Sequence, residues 1–379
     1  MQILFALPGL HRYNRGAEVA FIAIASELAK AGHNVTLIGS GQPRPGTPYR
    51  FLHAGSIPRE NFERFPLIPF FRNDSSYEEL TFVPNLLQCY RPRDYDLTLT
   101  CSYPFTNWLL RRPVLNGRRP RHVFVTENGD WPALSRESEY RFFECDGLVC
   151  TNAEFYERNK SHWRCQLIPN GVDCDRFQPG HAQRQTFGLP ESRFVVLMVS
   201  ALVPNKSVEL GIQAVSKIPD AHLVVAGDGP LRNTIDASAA SLLPGRFTRT
   251  QITADQMPKL YQACDVFLHL CKDESFGNVY LEAMACGLPI VAYNSKHTRW
   301  LLGNDEFFVE SDYAEDIARQ IELARESPLP ARNERTTRAA SFSWAKVGKM
   351  YSQFIESVVS SCESEGGAPR RGHAKTNQP

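Results

Sequence analysis

The stretch CKDESFGNVYLEAMACGLPIVA, residues 271–292, joins an acidic loop, a glycine turn, a short helix and a buried strand without a gap. It follows DVFLHL, residues 265–270, whose apolar run predicts a strand. The turn at residues 275–278 ends that strand, and apolar residues at helical spacing then run over 279–286 until Gly287 stops them. The sequence therefore predicts a strand, a loop and a helix that begins in this turn, near its glycine.

The start of the predicted helix has the properties of an anion site. Its first N–H groups lack partners within the helix, and its dipole adds partial positive charge at the same end. In a parallel α/β sheet this end faces the crevice beyond the strands, where phosphate-bearing ligands bind. Glu274 precedes these amides and Glu282 lies about one turn past Asn278. We expect Glu274 to reach the far end of a ligand and Glu282 a group beside the helix. The alternative is a solvent-facing Glu282 and a Glu274 that only complements the dipole.

Length and composition narrow the class of protein. The 379 residues suit two doubly wound domains, each large enough for its own core. Lys and Arg number 42 against 41 Asp and Glu, a net charge of +1, which lacks the basic excess that non-specific nucleic-acid binding requires. The 10 cysteines include no CxxC pair, and several lie in or beside apolar strands. These features indicate a reducing cytosol and exclude a nucleic-acid partner.

The sequence shows neither the pattern of a signal peptide nor that of a membrane-spanning helix. Its start, MQILFALPGL, has no basic region and too short an apolar run for a signal peptide. No apolar stretch reaches the about 18 residues that a membrane-spanning helix needs. We expect a cytoplasmic protein, with peripheral contact at the inner face of the membrane as an open variant. The last residues, 362–379, lack apolar content and are expected to be a disordered tail.

Strand and helix patterns alternate along the whole chain. Residues 2–6 form an apolar strand, residues 17–31 carry apolar side chains at helical spacing before Gly32, and residues 34–38 form the next strand. Further strands, each followed by a helical segment, are predicted at 94–102, 121–129 and 146–152. The second half repeats this alternation. The rhythm predicts an α/β protein built from two doubly wound Rossmann-like domains.

Two motifs carry a family resemblance. The pattern ExFG at residues 274–277, the second Glu eight residues after the first, and AxxxGxPIVA at 283–292 resemble the signature of retaining glycosyltransferases of family 4, glycosyl transferases group 1. The pattern GxExxFxxxxxxLAxxGHxV at 16–35 resembles the start of the same family, where the loop glycine, here Gly16, lets the backbone approach the donor's phosphates. The alternative for Gly16 is a plain helix cap. The resemblance covers roughly residues 1–360.

This resemblance implies the GT-B fold, two Rossmann-like domains that face each other across a cleft. It implies an amino-terminal acceptor domain over residues 1–180 and a nucleotide-sugar donor domain over 181–341. The terminal helix, 342–361, is expected to pack back on the first domain. The segment IPNGVDCDRFQP at 168–179 resembles the family's interdomain segment.

The resemblance also implies a reaction. A sugar passes from a nucleotide-diphosphate sugar to an acceptor hydroxyl with retention at the anomeric carbon; the acceptor is an unidentified sugar, lipid-linked molecule or small molecule. Lys206 and the amides of Phe276, Gly277 and Asn278 would stabilise the departing diphosphate. Glu282 is expected to hold the ribose hydroxyls, and Glu274 is expected to contact hydroxyls of the transferred sugar. Glu274 and Lys206 are thus the expected catalytic residues.

The chain departs from the family pattern at two places. Where relatives show GRLxxxKG it reads SALVPNKS, so Lys206 matches but Ala201 stands at the arginine position. Where relatives commonly end a strand at a histidine, it reads TENGDWP, which leaves three polar residues as acceptor-side candidates: Glu127, Asn128 and Asp130. The weakly periodic stretch 55–86 lies in the acceptor half and is interpreted either as a loop that covers the acceptor or touches a membrane, or as a packed loop without a ligand.

We expect neither a metal nor another cofactor. The DxD pairs, Asp94 with Asp96 and Asp173 with Asp175, have no further oxygen ligands nearby in sequence, and each is expected to be an ordinary strand end or turn. Two rival functions stay open. One is a nucleotide-sugar epimerase of the same architecture, and the other is a non-catalytic family member that binds a nucleotide sugar or a protein.

Overall fold

The computed structural model describes residues 1–62, 65–66, 75–115, 117–135, 142–181 and 183–360. Two compact units make up the chain. Unit 1 combines Met1–Pro169 with the chain from Val347 onward, and unit 2 comprises Asn170–Lys346. The chain therefore passes between the units twice. The expected tail at 362–379 lies outside the described residues.

Unit 1 is built on a parallel sheet whose described strands lie in the order β3-β2-β1-β4-β5-β6-β7. The strands are β1 (Gln2–Ala6), β2 (Asn34–Gly39), β3 (Arg50–His53), β4 (Leu97–Cys101), β5 (Arg121–Val125), β6 (Gly147–Cys150) and β7 (Cys165–Leu167). The helices are α1 (Gly16–Lys30), α2 (Ser75–Cys89), α3 (Pro104–Leu110), α4 (Trp131–Leu134) and α5 (Ala153–Asn159).

Unit 2 contains a second parallel sheet, with its described strands in the order β10-β9-β8-β11-β12-β13. The strands are β8 (Phe194–Val199), β9 (Ala221–Ala226), β10 (Phe247–Thr250), β11 (Val266–His269), β12 (Ile290–Tyr293) and β13 (Phe307–Val309). The helices are α6 (Val208–Ser216), α7 (Arg232–Leu242), α8 (Met257–Gln262), α9 (Asn278–Ala285), α10 (Lys296–Leu302), α11 (Ala314–Arg325) and α12 (Leu329–Ser341). The last helix, α13 (Trp344–Ser360), starts in unit 2 and continues in unit 1. Two parallel-sheet domains of the Rossmann type confirm the predicted fold class.

Both faces of the unit 2 sheet are buried, which explains the nearly continuous apolar runs of its strands. Alternate residues of β8 and β11 enter different cores. Leu197 and Phe267 belong to the core that also contains α9, whereas Val196 and Leu268 belong to the core that also contains α6 and α11. Each fully buried side chain of this kind contributes about 1.5–3 kcal/mol, so the two cores hold β8 and β11 side by side.

The strand order of each sheet creates one point where successive connections diverge. In unit 2 this point lies between β8 and β11, and in unit 1 it lies between β1 and β4. Connections that leave neighbouring parallel strands in opposite directions open a crevice at the carboxyl edge of the sheet, where ligands of α/β proteins bind. The loops after β8 and β11 are therefore the first place to look for a site.

Three short strands were not predicted, and all lie at sheet edges: β3, β7 and β13. Edge strands make contacts on one side only, so they need few apolar residues and give a weak sequence signal.

The interpretation of residues 55–86 as a loop is wrong for its last part, because α2 begins at Ser75. The helix buries Tyr77, Phe82 and Leu86, but it also buries Glu78 and Glu79, and these charges hide the amphipathic pattern. Residues 63, 64 and 67–74 of this stretch lie outside the described residues.

The boundary between the units lies after Pro169, earlier than the position after residue 180 that the sequence predicts. Val172 forms a β-bridge with Ser343, and the ring of Phe177 packs edge-on against Tyr261, with 5.9 Å between the ring centroids. Because both partners belong to unit 2, the segment that follows Pro169 folds with unit 2.

The part of α13 that belongs to unit 1 packs where β6 lacks a side chain. A Cβ atom on Gly147 would lie 2.8 Å from Cγ2 of Val358 and 3.0 Å from Cζ of Phe354. At the other contact, Gly348 of the helix leaves room for Glu27 of α1. Small residues on both partners therefore allow α13 to approach the first unit closely.

Candidate functional site

Two of the predicted site residues meet at the crevice of unit 2. Lys206 ends a short 3-10 turn after β8, and Glu274 lies in the loop after β11. The Lys206 Nζ and Glu274 Oε2 atoms are 2.6 Å apart, and the two side chains are 20% and 15% exposed. The fold thus brings the two expected catalytic residues, 68 positions apart in sequence, into one partly buried ion pair.

Two further side chains contact this pair. His269, the last residue of β11, donates its Nε2–H to Glu274 Oε2 at 2.8 Å. Lys206 Nζ also donates to Cys271 Sγ at 3.5 Å. Neither residue was predicted from the sequence to belong to the site, because His269 lies in the apolar run 265–270 and Cys271 directly follows it. A polar residue at the carboxyl end of an otherwise apolar strand is the signal that marks His269.

The charges of the cluster are mutually stabilised. Burial raises the pKa of the Glu274 carboxyl, but the hydrogen bond from His269 and the charge and hydrogen bond of Lys206 lower it more, so the pKa ends well below its ordinary value. Burial lowers the pKa of Lys206, yet Glu274 raises it above its ordinary value. Burial and the Glu274 carboxylate raise the pKa of Cys271 to about 11. Near neutral pH the cluster therefore holds a lysine ammonium, a carboxylate and a thiol.

Gly277 is the residue on which the start of α9 depends. It precedes the helix with a φ of 83°, in the left-handed region that side chains disfavour. A Cβ atom here would lie 2.6 Å from the Tyr280 ring and 3.0 Å from Glu274 Cγ. Only glycine combines this turn with the close approach of Glu274 to the first turn of the helix.

The residues beside Gly277 are held by unit 2 on both sides. Phe276 is buried, and its carbonyl accepts a hydrogen bond of 2.8 Å from His297 Nε2. The Oδ1 atom of Asn278 accepts one of 3.0 Å from Asn170 Nδ2. His297 therefore holds the backbone just before α9, and Asn170 holds the side chain of its first residue. Neither His297 nor Asn170 was identified from the sequence as a site residue.

Glu282 lies on α9 and faces α8. Its Oε2 atom accepts a hydrogen bond of 2.9 Å from the hydroxyl of Tyr261, which is fully buried. Burial raises the pKa of Glu282 to about 7, although Tyr261 and Arg176 oppose the shift. The carboxyl is thus positioned by a fixed partner and changes charge near neutral pH.

The acceptor-side candidates follow β5 in unit 1 and differ in their surroundings. Glu127 is buried, whereas Asn128 is exposed and donates to Ser102 Oγ at 2.6 Å. The Asp130 carboxylate pairs with the guanidinium of Arg158 at 2.8 Å and also accepts from Asn159. Of the three, Asn128 is the one that solvent reaches most freely.

Gly16 is the first residue of α1 in unit 1, and the preceding N-cap residue makes no side-chain capping bond. A pocket of about 490 Å³ opens nearby in sequence, at the carboxyl ends of β1, β2 and β3. The described residues that line it include no carboxylate and are His11, Arg12, Ser40, Gly41, Gln42, His53, Gly55 and Ser56. Unit 1 therefore offers a polar pocket of neutral to basic character.

One trio of metal-ligating side chains is present among the residues that the structure describes. His269, Cys271 and Glu274 offer ligand atoms that all lie within 4.8 Å of one another. The ammonium of Lys206 contacts two of these groups. Two carboxylates of the DxD pairs make other contacts. Asp96 accepts a hydrogen bond from the backbone N–H of Gln2, and Asp173 accepts from the backbone N–H groups of Asp175 and Arg176.

Among the residues that the structure describes, no helix is both long enough and apolar enough to cross a bilayer.

The two parallel-sheet units have the fold of the GT-B glycosyltransferases. Two family models match the chain in tandem, Glycosyltransferase Family 4 over residues 14–176 and Glycosyl transferases group 1 over residues 181–341. The chain belongs to glycosyltransferase family 4, which confirms the resemblance drawn from its motifs.

Individual relatives match over different lengths. A GDP-mannose-dependent alpha-(1-6)-phosphatidylinositol monomannoside mannosyltransferase of Mycolicibacterium smegmatis is 37% identical over 34% of this chain and 38% of its own length. The lipopolysaccharide core biosynthesis glycosyltransferase LpsE of Rhizobium meliloti is 27% identical over 81% of this chain and 84% of its own. This chain thus spans well under half of the first relative and most of the second.

A solved structure shares the fold across nearly the whole chain. The HepE protein of Anabaena, in complex with UDP-glucose, aligns with a TM-score of 0.71 over 94% of this chain and 100% of its own, at 19% identity. At this identity the match establishes the shared fold of the two proteins.

Proposed function

We propose that this chain is a retaining glycosyltransferase that moves a sugar from a nucleotide-diphosphate sugar to an acceptor hydroxyl without a metal ion. The observation that carries the proposal is the meeting of Lys206 and Glu274 at the crevice of unit 2, beside the amino-terminal end of α9. A lysine ammonium and the first amides of a helix are groups that can bind a diphosphate in the absence of a metal ion.

The proposed chemistry is mainly electrostatic. As the bond between the sugar and the diphosphate breaks, negative charge grows on the leaving phosphate oxygens. Lys206 has three N–H donors; in the structure one contacts Glu274 and one Cys271, which leaves one for phosphate. The backbone amides at Phe276, Gly277 and Asn278 would add further donors. Removal of one such preorganised donor typically costs about 2.7–4 kcal/mol of transition-state stabilisation.

Glu282 and Glu274 would hold different parts of the donor. Glu282, fixed by Tyr261 on α8, is proposed to accept hydrogen bonds from the ribose hydroxyls. Glu274, in the loop before the amides, is proposed to bind hydroxyls of the sugar that moves. The departing phosphate oxygen would take the acceptor's proton, so that no carboxylate has to form a covalent bond to the sugar.

The relatives support transfer and leave the donor open. One is named for GDP-mannose and phosphatidylinositol mannoside, another for the lipopolysaccharide core, and the HepE structure contains UDP-glucose. A nucleotide-sugar donor is the feature common to the first and last. Ala201 at the arginine position and the absence of a histidine after β5 favour the rival reading as a non-catalytic binding protein.

The experiment is a screen of UDP-, GDP- and ADP-sugars for nucleotide release, with and without simple sugar, inositol and lipid-linked acceptors. NMR of the product would then report the anomeric configuration. We expect one donor to release nucleotide in an acceptor-dependent way and to give a retained linkage. An inverted product would overturn the retaining mechanism. Interconversion of the donor without transfer would instead support the epimerase, and binding without turnover the non-catalytic reading.

A further inference from the structure

The cluster around Glu274 contains a second binding capacity that the transfer reaction does not use. Its three potential ligands are an imidazole nitrogen, a thiol sulfur and a carboxylate oxygen, all within 4.8 Å of one another. Nitrogen, sulfur and oxygen ligands of these types are those that Zn²⁺ takes in proteins, at about 2.0–2.3 Å from the metal. We infer that His269, Cys271 and Glu274 form a site for a thiophilic divalent cation such as Zn²⁺, which binds by displacing Lys206.

A tetrahedral zinc requires a defined spacing of the donor atoms, which here all lie within 4.8 Å of one another. With bonds of these lengths, the ligand atoms of a tetrahedral site lie roughly 3.3–3.6 Å apart. His269 Nε2 and Glu274 Oε2 are 2.8 Å apart and have to separate slightly, and the loop carboxylate can make that movement. A fourth position is left for water, as in zinc sites with three protein ligands.

The surrounding protein holds two of the ligands in place. The His269 ring meets the Tyr280 ring edge-on, with 5.0 Å between the centroids, and Cys271 is 2% exposed. Both side chains point into the cluster, because His269 donates to Glu274 and Cys271 accepts from Lys206. Zinc binding therefore requires the withdrawal of Lys206 and an adjustment of the loop that carries Glu274.

Exchange of Lys206 for zinc keeps the charge of the cluster balanced. The ammonium and the Glu274 carboxylate now cancel. When Zn²⁺ binds, Cys271 loses its thiol proton to solvent, and the thiolate and the carboxylate together offset the two charges of the metal. Lys206, on its flexible stem, moves out toward solvent. The thiolate selects Zn²⁺ over Mg²⁺ or Mn²⁺, which prefer oxygen ligands.

This exchange has a consequence for the proposed transfer reaction. Zn²⁺ would remove the lysine from the diphosphate position and the Glu274 oxygen from the sugar, and would therefore inhibit. The inhibition rests on the proposed function, whereas the binding does not.

The test uses Co²⁺ as a spectroscopic substitute for zinc, added to the full chain after removal of bound metals. We expect a sulfur-to-cobalt charge-transfer band and tetrahedral d–d bands, both abolished by Zn²⁺ and unaffected by Mg²⁺. Cys271→Ser should lose the charge-transfer band and weaken Zn²⁺ binding by at least about tenfold, since even partners of metal ligands are worth 10- to 100-fold. Cys264→Ser, which alters another buried thiol of unit 2, is the matched control and should change neither.

A second variant tests the displacement itself. Lys206→Met removes the competing ammonium, so it should tighten Zn²⁺ binding severalfold. The proposal is overturned if wild type gives no charge-transfer band, if the band persists in Cys271→Ser, or if Lys206→Met weakens zinc binding. Where transfer is measurable, Zn²⁺ should inhibit wild type and spare Cys271→Ser. A chain without transfer activity would still give the spectroscopic result, so failure of the proposed function is separable.

Discussion

Glu274 is the residue on which the contacts of the candidate site converge. One of its oxygens receives both His269 and Lys206, and its Cγ atom lies where a side chain on Gly277 would be. Burying a carboxylate, even partly, costs free energy unless other groups compensate its charge. The structure provides the compensation through the lysine ammonium and the imidazole N–H, which hold Glu274 ionised and fixed.

The two glutamates are expected to fail in different ways when truncated. Glu282→Ala removes a contact common to the donor and the free nucleotide, so calorimetry should show both binding more weakly by ~1.5–3 kcal/mol. Glu274→Ala should leave the affinity for free nucleotide unchanged and lower turnover, because the transferred sugar loses its orientation. The exposed Glu209→Ala on α6 is the control and should alter neither. Loss of nucleotide affinity in Glu274→Ala, with none in Glu282→Ala, would reverse these assignments.

Glu282 also predicts a pH-dependent stability. Its pKa rises from 4.5 to about 7 on folding, so the folded chain binds a proton that the unfolded chain releases. The contribution of this group is complete below pH 4.5 and is lost as the pH rises toward 7, at ~3 kcal/mol in all. Glu282→Gln keeps an acceptor for Tyr261 and carries no charge. Its free energy of unfolding relative to wild type should therefore increase by ~2–3 kcal/mol between pH 5 and pH 8.

Denaturant unfolding at the two pH values measures this difference. Glu209→Gln, which changes an exposed carboxyl of the same unit, should show a difference from wild type that does not vary with pH. A Glu282→Gln difference that is equally constant would contradict a Glu282 carboxyl whose pKa rises on folding.

At the scale of the element, the start of α9 depends on a glycine. Gly277→Ala forces a side chain into the left-handed region, at about 1–2 kcal/mol, and also against Tyr280 and Glu274. Gly245→Ala is the matched control, because Gly245 has a φ of 67° with no atom within 4 Å of its added Cβ. Denaturant unfolding should show that both variants are less stable, because both place a side chain in the left-handed region. Calorimetry should show weaker nucleotide binding in Gly277→Ala alone. Equal nucleotide affinity in the two variants would show that the packing at Gly277 is unimportant.

The sequence predicted β11, its loop and α9 because each step there has a local signal. The apolar run, the glycine and the helical spacing all lie within about thirty residues of one another. Glu274 and Gly277 could be identified from that pattern. The contacts of Glu274 with Lys206, and of Asn278 with Asn170, join residues far apart in sequence, and no local pattern encodes them.

Elements at the margins of the fold were harder to predict. The residues of β3 and β7 are mostly half-buried or exposed, so these strands lack the continuous apolar run that marks β8 or β11. In α2, the buried glutamates at 78 and 79 interrupt the helical spacing of apolar residues. Tyr261 of α8 donates a hydrogen bond to Glu282, but an aromatic residue in a predicted helix indicates only a core position. Local patterns thus predicted the centre of each sheet and missed features that depend on tertiary contacts.

The docking of α13 on unit 1 also depends on a glycine. Gly147→Ala places a Cβ atom 2.8 Å from Val358 and 3.0 Å from Phe354, and overpacking of this kind typically costs about 1–3 kcal/mol. We expect amide hydrogen exchange to become faster over residues 347–360. Gly117→Ala, whose nearest neighbour is 3.6 Å away, should leave exchange unchanged. Unaltered exchange in Gly147→Ala would mean that the helix is held elsewhere.

At the scale of the whole molecule, the chain builds two sheet-based units and passes between them twice. The groups proposed to bind the donor lie in unit 2, which is contained within Asn170–Lys346. Unit 1 contributes the pocket at the ends of β1, β2 and β3 and the polar residues after β5. We therefore propose that unit 2 binds the leaving group and that unit 1 recognises the acceptor.

The central claim is that Lys206, and not a metal ion, stabilises the departing diphosphate. The most direct measurement compares kcat/KM for sugar transfer by the whole chain and by two lysine variants, in the presence of EDTA. Lys217→Met is the control, because Lys217 pairs with Glu315 at the surface, and an exposed ion pair contributes little to stability. The account predicts that Lys206→Met lowers kcat/KM by about 10²–10³, with Lys217→Met and EDTA without effect. Full activity in Lys206→Met, or transfer that EDTA abolishes and Mg²⁺ or Mn²⁺ restores, would contradict it.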